Sequence, residues 1–221
     1  MWLLRPPGVY RPQADTWLLV QALRDAGIPR GARVLDMCTG TGALAVAAGN
    51  EGAGHITAVD ISLRATLATR FNTRVRGLPV RVERRDALTF PARRQFDVIL
   101  ANPPYVPSPR RELPRSGPSR AWDAARDGRA LLDPLCANAP GLLSDGGMLL
   151  VVHSAVCGVG TTVDLLHAGG LKAAVVARRT VPFGPVMNGR VALLQDQGLI
   201  GAGQRHEELV VIRGDRRDSG T

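Results

Sequence analysis

Arg33-Val34-Leu35-Asp36-Met37-Cys38-Thr39-Gly40-Thr41-Gly42 is the stretch from which the fold is read. Its first five residues are a short, mostly apolar run, which predicts a strand over Arg33–Met37. Gly40 and Gly42 then let the chain turn tightly and bring backbone close to a ligand with no Cβ in the way. The alanine-rich segment from Gly42 to about Gly49 predicts a helix, whose first N–H groups are left without intrahelical partners. Strand, glycine loop and helix in that order open a βαβ unit.

The alternation extends both ways along the chain. Residues 14–26 predict an opening helix, stopped by Gly27 and Pro29. Further strands are expected at Ile56–Val59, Val80–Glu83, Phe96–Leu100, Met148–His153, Lys172–Ala177 and Glu208–Ile212. Helices are expected after Asp60, with Ser62 as cap, from about Gly128 to Leu143, and near 161–168. Asp145-Gly146-Gly147 reads as a turn into the fifth strand, and the proline-rich stretch 103–118 as a loop. The expected fold class is therefore α/β, a doubly wound, mostly parallel seven-stranded sheet. Residues 1–30 form an amino-terminal segment and helix, 31–213 the α/β domain, and 214–221 a polar tail expected to fray.

In open sheets of this kind ligands sit beyond the carboxyl ends of the strands. Asp60 closes the second strand, where a carboxylate can accept both hydroxyls of a ribose. Asp86, followed by Ala87, comes after the third strand, where a carboxylate can accept from an adenine amino group. Three acids after three successive strands point to an adenosine. A dinucleotide fits poorly, because Asp36 ahead of the glycines would repel a pyrophosphate. The same carboxylate suits the ammonium of a methionine moiety, so the expected cofactor is S-adenosyl-L-methionine.

After the fourth strand comes Asn102-Pro103-Pro104-Tyr105. Paired prolines remove donors and fix the chain, leaving carbonyls to point outward. Asn102 supplies a second acceptor in its side-chain carbonyl. Two adjacent acceptors match a planar nitrogen with its hydrogens in one plane, and Tyr105 can pack on that planar group. Asn102, Pro103 and Tyr105 are thus the expected catalytic residues, with Asn102 and Ala87 also expected to contact the cofactor, and with direct in-line methyl transfer and no general base. His153, at the end of the fifth strand, reads as structural or exposed rather than catalytic.

Asp36, Gly40-x-Gly42, Asp60, Asp86 and Asn102-Pro103-Pro104-Tyr105 together resemble class I (Rossmann-like) methyltransferases that modify planar nitrogens. More closely, the chain is similar to the HemK/PrmC group, protein glutamine-N5 methyltransferases acting on the Gly-Gly-Gln loop of peptide release factors. Within it the chain resembles the short archaeal and eukaryotic-type branch. Val9-Tyr10-Arg11-Pro12-Gln13-Ala14-Asp15-Thr16 is similar to that branch's opening Tyr-x-Pro-x-x-Asp-Thr motif, and Trp122, Asp127-Gly128-Arg129 and Glu207–Ile212 follow its pattern. The resemblance implies that Thr16 approaches the methionine end of the cofactor, that residues 1–30 cover the cofactor site, and that a small zinc-binding activator subunit is a possible partner. Ala14 stands where the group often has Glu, and the loop after Tyr105 is richer in Pro and Arg than the group's pattern. Adenine-N6 methyltransferases of DNA or RNA share the Asn-Pro-Pro-Tyr motif and are an alternative, as are peptide or small-molecule N-methyltransferases.

The charge bears on the partner. The chain carries +9, and Lys172 is its only lysine. Nine arginines fall between Arg64 and Arg94 and four between Arg110 and Arg120. Such a surface suits contact with nucleic acid, the ribosome or an acidic protein, or is a solvated helix face. Aromatics at 4% argue against a single-strand stacking platform. Cys38, Cys136 and Cys157 are too scattered for a zinc site or disulfide framework, so no metal is expected. With no long apolar run, a cytoplasmic location and no membrane partner are expected.

Overall fold

The computed structural model describes residues 1–90 and 96–217. Arg93 and Arg94 of the arginine-rich segment, and residues 218–221 of the expected tail, lie outside the described residues. In chain order the elements are α1 (Ala14–Ala26), β1 (Arg33–Met37), α2 (Ala43–Asn50), β2 (His55–Asp60), α3 (Leu63–Arg74), β3 (Val80–Arg84) and β4 (Phe96–Ala101). They continue with α4 (Leu132–Leu142), β5 (Leu143–Ser154), α5 (Val159–Ala168), β6 (Leu171–Pro182), α6 (Pro185–Asn188), α7 (Val191–Asp196) and β7 (His206–Arg216). The seven strands form one sheet in the order β3-β2-β1-β4-β5-β7-β6. Strands β1 to β5 pair in parallel, and β7 runs antiparallel between β5 and β6.

The burial follows from that order. Central β1 and β4 have helices on both faces, so Val34, Leu35, Met37, Ile99 and Leu100 are fully enclosed. On one face α1 and α2 supply Leu19, Leu23, Leu44 and Ala48; on the other α4 and α5 supply Leu132, Leu135, Leu142 and Leu166. Edge strand β6 alternates buried and exposed residues along its first half, as a strand with one wet face does.

Three boundaries differ from the sequence expectation. Helix α4 begins at Leu132, not near 128, because Gly128 sits in a left-handed turn (φ +76°). A Cβ there would lie 2.3 Å from the Tyr105 carbonyl oxygen and 2.7 Å from Cys157 Sγ, so Gly128 permits a close approach of two loops. Strand β5 starts at Leu143, taking in the expected Asp145-Gly146-Gly147 turn with a register shift between Phe96 and Val98 on its neighbour. Strand β7 extends through Gly214, Asp215 and Arg216; Gly214 and Asp215 pair with both neighbours, while Arg216 pairs with Leu171 of β6 and its side chain donates to the carbonyls of Pro140 and Leu143. The start of the expected frayed tail is therefore an ordered strand end.

Candidate active site

The strand order reverses between β1 and β4, so their carboxyl ends lie side by side. Met37 pairs with Ala101, and the glycine loop and Asn102 thus leave the sheet together. A cavity of about 650 Å³ opens there, within the range of small-molecule sites. Thr16, Gly40, Asp60, Asp86, Ala87, Asn102, Pro103 and Tyr105 all contribute to its wall. Gly8, Val9, Tyr10 and Pro12 of the amino-terminal segment close one side, and Leu113, Pro114, Pro118, Arg120 and Ala121 another.

Asp36 and Gly42, expected to meet the ligand, stand beneath that wall instead. The Asp36 side chain is fully buried, with Oδ2 accepting from the Thr39 hydroxyl (2.5 Å) and the Ala45 N–H (3.0 Å). Burial pushes its pKa up to about 7 against those hydrogen bonds, and Oδ1 has no partner. Its contact is with the loop and the start of α2. Gly42 (φ +81°) caps α2, and a Cβ would come within 2.9 Å of Thr69 on α3, so this glycine serves helix packing.

Asp60 stands on the cavity wall. Its Oδ1 accepts from the Ser62 N–H (2.8 Å) and its Oδ2 from the Gly40 N–H (3.0 Å). A carboxylate offers about four lone-pair positions, so these donors do not exhaust its capacity to accept. Burial raises its pKa, opposed by these backbone donors and by Arg120. Asp86 accepts from the Leu88 N–H (3.0 Å), which caps a short 3₁₀ turn beginning at Ala87. The Cys38 thiol beside these acids is held protonated by burial and by Asp60, Asp36 and Asp86, so it offers no thiolate nucleophile.

The Asn102 end is organised around Asp15. Asn102 Nδ2 donates to Asp15 Oδ2 (3.2 Å) and to Thr16 Oγ1 (3.1 Å). Tyr10 and Tyr105 donate their hydroxyls to the same Oδ2, at 2.8 and 3.1 Å. Asp15 Oδ1 accepts from the Thr16 N–H (2.5 Å) and hydroxyl (3.1 Å). Burial and the nearby carboxylate push both tyrosine pKa values up, so both are neutral phenols. Sequence reasoning singled out Thr16 from this segment and missed Tyr10 and Asp15, although both stand in the motif it quoted. His153 is fully buried, with Nδ1 2.8 Å from the Ser154 carbonyl, and burial lowers its pKa to about 4; it is a neutral structural histidine.

The proline-rich loop is held at its base. Val106 exchanges backbone bonds with Trp122 and Ala124, and Ser108 donates to Ala125. Arg190 braces it from the β6–β7 insertion, donating to the Pro107 carbonyl (2.8 Å) and pairing with Asp123 (2.6 Å). Behind it Phe183, Met187, Leu194 and Ile200 form a small core against which Val106 packs. Among the described residues no helix is long and apolar enough to cross a membrane, and no group of His, Cys, Asp or Glu could hold a metal.

A glycine loop, an acid after β2 and an Asn-Pro-Pro-Tyr turn thus surround one cavity. The chain belongs to the methyltransferase small-domain family, whose model matches residues 1–112, and it is a methyltransferase. It is 33% identical over 181 residues to a protein named as an N5-glutamine methyltransferase of Methanocaldococcus jannaschii, covering 82% of this chain and 90% of that one. It is 33% identical over 170 residues to the release factor glutamine methyltransferase of Mycolicibacterium smegmatis, covering 74% of this chain and 60% of the relative. In three dimensions it is similar to the E. cuniculi Mtq2–Trm112 complex responsible for methylating the termination factor eRF1, with TM-score 0.64, 20% identity, and coverage of 95% of this chain and 99% of that one. That likeness concerns the fold.

Proposed function

We propose that the chain transfers a methyl group from S-adenosyl-L-methionine to the side-chain amide nitrogen of a glutamine in a peptide release factor. The observation that carries this reading is the Asn102 amide on the cavity wall: its NH₂ is engaged by Asp15 and Thr16, and no described residue donates to its Oδ1. A free side-chain carbonyl beside the Pro103 backbone suits an acceptor amide that has only N–H groups to offer. The named activities of the archaeal and mycobacterial relatives support the same acceptor.

The residues fit the cofactor. Asp60 keeps accepting capacity for ribose hydroxyls, Asp86 has a second oxygen for an adenine amino group, and Thr16 lies at the Asn102 end, where the methionine part would sit. When bound, that group supplies an electrophilic methyl on a sulfonium. The chain's own work is positional. Asn102 Oδ1 and the Pro103 carbonyl accept the two N–H hydrogens of the acceptor amide and aim its nitrogen, and the departing proton passes to water. Orientation of this kind contributes up to roughly 7–11 kcal/mol to such a step. Residues 1–30 act as the cover of the site, consistent with Tyr10 and Pro12 in its wall.

Two surfaces suit partners. Helix α3 exposes Leu63, Leu67 and Phe71, followed by Val75 just past its end, beside edge strand β3, an apolar stripe fit for a small zinc-binding activator subunit. Arg64, Arg70, Arg74 and Arg76 on and just after the same helix suit contact with nucleic acid or the ribosome. A release-factor acceptor places the reaction in the cytoplasm. Incubation with methyl-labelled S-adenosyl-L-methionine and a cell extract tests the reading. Label is expected in a release-factor-sized protein band; label confined to nucleic acid or to small molecules would move the function to adenine-N6 or small-molecule N-methylation.

A further inference from the structure

We propose that Asp15 is a positioning residue that sets the polarity of the Asn102 amide, and with it which atom faces the methyl acceptor. The inference rests on the reading that Asn102 receives the acceptor nitrogen. An asparagine amide fits its site in two orientations related by a half-turn, and only one presents Oδ1 to the substrate. Here the choice is forced by Asp15, which is 2% exposed. As a carboxylate it only accepts hydrogen bonds, so the Asn102 group facing Oδ2 must be the NH₂. The Thr16 hydroxyl spends its single proton on Asp15 Oδ1 and therefore accepts the second Nδ2 hydrogen. A flipped amide would set its oxygen against a carboxylate and a hydroxyl with no proton left to give.

The same carboxylate ties three chain segments together. The Tyr10 hydroxyl comes from the amino-terminal cover, Thr16 from the first turn of α1, and Tyr105 from the turn after β4. All converge on one buried side chain that neither binds cofactor nor touches substrate in the proposed mechanism. Asp15 thus couples closure of the cover to the orientation of the acceptor-binding amide.

Asp15→Asn tests this, since it keeps the shape and removes the acceptor-only character. Whichever way the new amide turns, its NH₂ faces donors on one side, so the Asn102 polarity is no longer forced. On a methylatable release factor, kcat is expected to fall about tenfold or more while cofactor Kd stays within about threefold. In an Asn102→Ala background the added Asp15→Asn change should cost less than about twofold, because the two act through one contact. Side-chain amide exchange by ¹⁵N NMR supplies a readout independent of any acceptor, with the Asn102 signal assigned by its loss in Asn102→Ala. Its NH₂ should exchange about tenfold or more slowly than that of exposed Asn50, and this protection should vanish in Asp15→Asn. Equal exchange of Asn102 and Asn50 in the native protein, or protection retained in the variant, would overturn the proposal. So would an unchanged kcat, or additive losses in the double variant. If no release factor is methylated the substrate reading fails, and the exchange experiment still decides this one.

Discussion

Replacing Gly128 by alanine should damage both stability and catalysis, through a contact that no side chain of the site reveals. At φ +76° an L-residue is strained, at a cost of about 1–2 kcal/mol. The new Cβ would also lie 2.3 Å from the Tyr105 carbonyl oxygen and 2.7 Å from Cys157 Sγ, where Cys157 already donates to that same carbonyl. Separations this short force backbone to move, and overpacking of this kind costs a further ~1–3 kcal/mol. The sum is about 2–5 kcal/mol. Because Tyr105 belongs to the Asn-Pro-Pro-Tyr turn, the displacement reaches the acceptor subsite, where a shift of ~1 Å can cost about 100-fold in rate. Gly170→Ala is the matched control, with φ +83° and open space around the added Cβ, so it should carry the strain alone. Urea unfolding and methyl transfer, measured on both variants, separate the two contributions. A Gly128→Ala protein no less stable than Gly170→Ala, with native activity, would refute the close-approach argument.

Other consequences follow from single side chains. Asp60→Ala should weaken cofactor binding about 10- to 100-fold in equilibrium dialysis, the loss of hydrogen bonds to a charged group worth ~1.5–3 kcal/mol; unchanged affinity would remove Asp60 from the ribose site. Two buried groups titrate in opposition. His153 has a folded pKa near 4, below its unfolded value, so its contribution is present above about pH 6.5 and is lost as pH falls toward 4. Asp36, raised to about 7, contributes in the other direction, favouring the fold at low pH and losing that support as pH rises from about 4 to 7. The stability difference between native protein and His153→Gln should therefore shift against the native protein by up to about 3 kcal/mol between pH 6.5 and 4. A difference that does not change with pH would show that His153 titrates as an exposed residue.

Most of the sheet was legible because the central strands are short apolar runs ending at glycines and acids, and those ends are where a parallel sheet gathers its ligand. Asp60, Asp86 and Asn102 could be placed from that rule alone. Boundaries were lost where tertiary contact overrode local pattern. The Asp145-Gly146-Gly147 turn is absorbed into β5, and Gly214 and Asp215 are ordered by pairing with two neighbours and Arg216 by pairing with β6, which a polar composition does not disclose. Asp36 was expected to face the ligand and instead bonds to the glycine loop and the start of α2, since a strand position does not say whether a carboxylate faces the cavity or the underside of that loop. Asp15 was hidden for a related reason. Its partners Tyr105 and Asn102 lie some 90 residues further along, and only the docking of α1 brings them together.

The central claim is the methyl acceptor. Purified chain, S-adenosyl-L-methionine and a recombinant release factor, with the product mapped by peptide mass spectrometry, test it directly. The account predicts one added methyl on the glutamine of the Gly-Gly-Gln loop, and a loss on the order of 100-fold with Asn102→Ala while cofactor still binds. An unmodified glutamine, with methyl transfer instead to nucleic acid or to another side chain, would contradict it.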